Sequence, residues 1–92
     1  MHGTRTTVRI EAGREDEARR GLADQVIPRV KAAPGFVAGY WFAEIGDQGW
    51  SLVIWEAREQ AEAMAAQLSP GSHPAPAVTV EKSEVFEVVG SA

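Results

Sequence analysis

Two neighbouring stretches of this chain, residues 36–45 and 50–56, are rich in β-formers and apolar on both of their faces. In the second, Ser51, Val53 and Trp55 alternate with Leu52 and Ile54. In the first, Phe36, Ala38, Tyr40 and Phe42 oppose Val37, Trp41 and Ile45. Successive side chains of a strand point to opposite sides, so each of these segments needs cover on both. Between them lies Gly46-Asp47-Gln48-Gly49, a glycine-bounded loop that makes the pair an antiparallel hairpin.

The flanking sequence supplies the rest of the order. Residues 4–11 alternate, with Thr6, Val8 and Ile10 on one side and Arg5, Thr7 and Arg9 on the other, which predicts a strand. Residues 14–33 carry Ala18, Leu22, Val26 and Val30 every four positions, an apolar helix stripe. Pro28 interrupts this stripe and predicts a kink or break near residues 24–27, and Pro34-Gly35 ends the helix. A second helix over 58–68 follows from Ala61, Met64, Ala65 and Leu68; Ala57 offers no side-chain acceptor, so its first turn is expected to fray. The proline-rich residues 69–76 are loop, and 77–89 form one bent strand or two short ones around Lys82-Ser83.

The order β-α-β-β-α-β is that of an α+β, ferredoxin-like domain: a four-stranded antiparallel sheet with both helices on one face. Two helices cover one face only. The doubly apolar central strands therefore predict a homodimer in which a second copy covers the other face, sheet against sheet.

Composition narrows the class. Ninety-two residues form a single domain over 1–92, and 45% hydrophobic with 24% charged residues is a globular balance. No apolar run approaches the length of a membrane span and no charged-then-apolar leader is present, so neither membrane nor secretion is expected. A net charge of −4 disfavours a nucleic-acid partner. The absence of cysteine fits a cytoplasmic location and rules out thiolate sites. No histidine–carboxylate cluster has metal-ligand spacing and no glycine-rich phosphate loop occurs, so neither a metal nor a cofactor is predicted.

Three places resemble the antibiotic-biosynthesis-monooxygenase-like branch of the dimeric α+β barrel proteins. They are Pro34-Gly35-Phe36 at a helix-to-strand junction, Val53-Ile54-Trp55-Glu56 closing the third strand, and the alanine-rich helix containing Ala61 and Ala65. The resemblance implies a homodimeric α+β barrel made of two facing sheets, with a pocket between each sheet and its own helices. Some such proteins oxygenate polycyclic aromatic substrates without metal or flavin, and others degrade haem. The haem-degrading members share an asparagine on the first strand, a tryptophan ending the third and a histidine on the second helix. Trp55 matches the tryptophan. The chain has no asparagine, and its two histidines, His2 and His73, lie outside the second helix. Thr6 and Thr7 stand where the asparagine is expected.

These readings converge on an apolar pocket for a small apolar or aromatic ligand, with Trp55 and Trp41 on the sheet, Met64 on the second helix and Thr6 as a polar contact. The hairpin register, which decides whether Trp41 shares the face of Trp55, is not set by the sequence. Two functions follow as expectations: a cofactor-independent oxygenase, or a non-catalytic small-molecule-binding or structural dimer. Arg5 and Arg9 are expected to pair with carboxylates such as Glu44, Glu56 or Glu84.

Overall fold

The first strand, β1 (His2–Ile10), occupies a central place in the sheet and organises the rest. After it come α1 (Glu15–Gly21), α2 (Ile27–Ala32), β2 (Phe36–Ala43), β3 (Gln48–Trp55), α3 (Arg58–Gln67) and β4 (Val78–Glu87). This computed structural model describes residues 1–44 and 46–92, so the side assigned above to Ile45 lies outside the described residues. All three strand pairings are antiparallel and the sheet order is β2-β3-β1-β4, the ferredoxin-like arrangement.

Local chemistry explains where the elements depart from simple periodicity. No break occurs near residues 24–27. Instead a π-helical turn, Leu22–Val26, joins α1 to α2, and the Ile27 N–H bonds to Leu22 O, five residues back. The widened turn delivers Pro28 to the start of α2, where a missing N–H costs little. The start of α3 is secured rather than frayed: Gln60 Oε1 accepts the Ala57 N–H at 3.0 Å. That Gln60 side chain lies against Gly35, whose φ of +83° and lack of a Cβ leave it room.

Two bulges set the faces. On β2, Phe36 pairs with Trp55 and Ala38 with Ile54, so Val37 is an extra residue. This moves Phe36 onto the side of Trp41 and Trp55, away from Ala38, Tyr40 and Phe42 with which simple alternation groups it. On β4, Val80 pairs with Val8 and Lys82 with Thr7, leaving Glu81 as the extra residue of a single bent strand.

Both helical layers lie on one face. The core there is Val30, Val53, Trp55, Ala61 and Met64, with Phe36, Trp41 and Leu68 half-buried around it. Trp55 is 1% exposed and receives Phe36 edge-on, with ring centroids 6.2 Å apart. Among the described residues no helix covers the opposite face. It presents Tyr40, Phe42 and Phe86 exposed and Leu52 and Ile54 half-buried. Phe42 stacks on Trp50 at 4.3 Å, and the Arg5 guanidinium sits 4.8 Å above the Trp50 ring. Arg5 therefore departs from the expected carboxylate pairing, and Arg9 keeps it with other partners than Glu44, Glu56 or Glu84. Arg5 uses an aromatic face, and Arg9 pairs with Glu81 at 3.3 Å and Asp47 at 4.0 Å, because the β4 bulge and the hairpin loop bring those carboxylates within reach.

Candidate ligand cavity

The helices do not pack flat on the sheet. Between them lies a cavity of about 250 Å³, close in size to small ligand pockets. Its floor is the helix side of β1 and β3, with Thr4, Thr6, Ser51 and Val53 at the centre. Ala18, Leu22, Val26 and Val30 form one wall along the first helical layer, and Met64 and Leu68 form the other along α3. Pro74 and Ala75 of the 69–77 loop close one end. The loop can come this near because Gly21 lacks a side chain; a Cβ there would lie 3.1 Å from that of Ala75. Glu15, Arg19 and Glu44 also contribute charged groups to the lining.

Three of the four residues predicted to contact a ligand meet in this lining: Trp41, Met64 and Thr6. Trp41 shares the side of Trp55, because Trp41 pairs with Ser51 and Gly39 with Val53. Its indole folds over Gly39, where a Cβ would lie 2.8 Å from Trp41 Cη2. Trp55 does not line the cavity. It stands behind the wall in the core cluster, in company with Val53 and Met64, and its buried Nε1 has no hydrogen-bond partner among the described residues. Thr6 Oγ1 lies 3.0 Å from Ser83 Oγ, and Thr4 Oγ1 donates to Ala61 O at 3.0 Å, which ties α3 to β1.

Sequence reasoning passed over Ser51, Ser83 and the small residue Ala18. A signal existed for the first: Ser51 is a hydroxyl on the same side as Val53 and Trp55 of a central strand, where an apolar residue is the ordinary choice. His73 lies in the 69–77 loop with Nδ1 3.1 Å from Val78 O, lining a smaller neighbouring cavity rather than this one. Among the described residues no group of three or more potential metal ligands is assembled, and no helix is long and apolar enough to cross a membrane.

Comparison with protein-family models and with curated proteins finds no match. Among solved structures the chain is similar to the haem degrader MhuD of Mycobacterium tuberculosis with two haems bound in its active site. Sequence identity is 22%, the TM-score is 0.72, and the match covers 100% of this chain and 99% of that one. The chain has the fold of MhuD. A point variant of MhuD with two manganese protoporphyrin IX molecules bound per active site gives the same answer: 20% identity, a TM-score of 0.71, and coverage of 100% and 98%. The ferredoxin-like architecture implied by the sequence resemblance is thus the one shared with both structures. At this identity the likeness speaks for the fold, and function has to be argued from the cavity.

Proposed function

We propose that this protein is a cytoplasmic homodimer that binds a small, largely apolar aromatic molecule between its sheet and helices, as a monooxygenase-like protein acting without a cofactor. The observation that carries the reading is the cavity itself. Its walls are largely aliphatic and thioether side chains with the Trp41 indole at one side, its floor carries the hydroxyls of Thr4, Thr6 and Ser51, and Glu15, Arg19 and Glu44 add charged groups to the lining. Such a lining desolvates an aromatic ring and leaves one edge of it to be oriented by hydroxyls. In oxygenation of this kind the substrate supplies the electrons to dioxygen, and the protein's part is to hold the ring, exclude water and place the reacting hydroxyl.

The uncovered sheet face supports the dimer. Tyr40, Phe42, Phe86, Leu52 and Ile54 form an apolar surface that a second sheet would bury. The absence of cysteine agrees with a cytoplasmic location.

The porphyrins of the two similar structures raise haem as a ligand, and the donor set here does not fit it. Haem iron is held by histidine, cysteine, tyrosine, or methionine together with histidine. Among the described lining residues the cavity offers the Met64 thioether alone.

A panel of naphthol-type aromatics tests the proposal by melting shifts and oxygen uptake. Saturable stabilisation with oxygen consumption supports it, whereas no stabilisation by any member refutes it. A second reading is favoured by one feature: no histidine lines the cavity among the described residues, so no side chain there titrates near neutrality without perturbation. On that reading the protein binds the same ligands without turnover, giving melting shifts with no oxygen uptake.

A further inference from the structure

The hydroxyls on the cavity floor have a polarity fixed by what lies behind them. A hydroxyl has one proton to donate and lone pairs to accept with. Ser83 Oγ donates to Leu68 O at 2.7 Å, since a carbonyl only accepts. That commits the single proton of Ser83. In the 3.0 Å contact between Thr6 Oγ1 and Ser83 Oγ, Thr6 must then be the donor. The same logic turns the Thr4 proton toward Ala61 O. Thr6 lines the cavity with its proton spent, so it can only accept there. Ser51 is its direct partner across the β1–β3 register, lines the same cavity and is 9% exposed, and among the described residues its hydroxyl makes no hydrogen bond.

We infer that Thr6 and Ser51 form a specificity subsite that selects ligands bearing a hydrogen-bond donor, a hydroxyl or N–H, with Ser83 as the positioning residue that makes Thr6 an acceptor. The inference rests on the cavity being the ligand site and adds the chemical class that it admits. A ligand hydroxyl donates to Thr6 Oγ1 while its oxygen accepts from Ser51 Oγ, so all three groups are satisfied. An ether or a carbonyl in the same place turns lone pairs toward Thr6 lone pairs, and only Ser51 can answer it. A carboxylate adds the cost of burying a charge against that oxygen. Leu68 O, at the C-terminus of α3, thereby sets the ligand preference at Thr6 through a two-hydroxyl relay.

The test compares 1-naphthol, 1-methoxynaphthalene and naphthalene by calorimetric titration of the full chain. The wild-type protein is expected to prefer 1-naphthol over its methyl ether by about tenfold, the weight of one neutral hydrogen bond. Thr6→Val keeps the shape, deletes the acceptor and brings the ratio close to one, while Thr6→Ser restores it. Ser83→Ala returns the proton to Thr6, which can then donate to the ether, so the ratio falls although no residue in contact with the ligand has changed. A merely structural role for Ser83 would instead weaken both probes alike. Equal wild-type affinity for naphthol and ether overturns the inference and leaves the cavity reading standing. Failure of all three probes to bind overturns both.

Discussion

Ala18→Leu puts the cavity itself on trial. Ala18 is 4% exposed and lines the cavity from α1, so extra carbons at this position enter the space that the ligand is to occupy. Leucine adds three carbons, and burial of each is worth about 0.8 kcal/mol, or roughly 2.4 kcal/mol together. Ordering a leucine side chain costs about 0.5–1 kcal/mol, which leaves a net gain of about 1.5 kcal/mol. In a domain of this size that raises Tm by roughly 6–12 °C. A volume of about 250 Å³ holds the added atoms without displacing the sheet, so overpacking is not expected to cancel the gain. The assay is thermal unfolding of both proteins with and without 1-naphthol. The variant should melt higher alone and lose most of the ligand-induced shift. A variant that melts lower shows that the space is not a void, and one that is stabilised yet keeps its full ligand shift shows that the ligand binds elsewhere.

Gly39→Ala should lower ligand affinity and stability together, by about 1 kcal/mol each, because the new Cβ at 2.8 Å displaces the Trp41 ring; parallel titration and urea melts check this, and unchanged affinity contradicts it. Leu52→Glu places a charge on the uncovered sheet face, so sedimentation should convert a particle of twice the 9.9 kDa chain mass into a folded or unfolding monomer, whereas a wild-type monomer stable to dilution refutes the dimer. Arg14 hydrogen-bonds Glu17 and holds its carboxyl below the usual carboxylate range. Stability from that pairing is complete above the unfolded-chain carboxylate value and is lost as pH falls through the lowered folded value. Glu17→Gln should therefore flatten the acid limb of the melting curve, and an unaltered limb rejects the assignment. Titration with hemin should give no imidazole-ligated spectrum, while Met64→His, which adds an imidazole to the cavity wall, should produce one; such a spectrum in the wild-type protein contradicts the donor-set argument.

The fold was legible in the sequence wherever burial repeats with a clean period. The alternation through Ser51, Val53 and Trp55 placed those three residues on one side because β3 pairs with β1 without a shift, and its one shift against β2 falls on Val37 of the partner strand. Alternation failed at Phe36, where the bulge at Val37 inserts one residue and reverses the side of everything before it. Pro28 signalled trouble at the right place but not its outcome. Whether a helix breaks or absorbs an extra residue as a π-turn depends on the packing that holds both of its ends, and here Ala18 and Val30 are buried on either side. The site was legible only in part for a related reason. Trp41, Met64 and Thr6 follow from face assignment, yet the gap between layers depends on Gly21 admitting the 69–77 loop, and that loop has no periodicity to read. Trp55 draws attention as a tryptophan on the apolar side of a central strand, and its burial in the core with Val53 and Met64 is a matter of depth, which alternation does not encode.

The most direct test of the account is to see where a ligand sits. Chemical-shift mapping of the full chain with 1-naphthol should place the largest changes at the Trp41 indole, the Met64 methyl and the Thr6 and Ser51 amides, all around the cavity between sheet and helices. Changes confined to Tyr40, Leu52 and Phe86 on the opposite face, or no changes at saturating ligand, would contradict it.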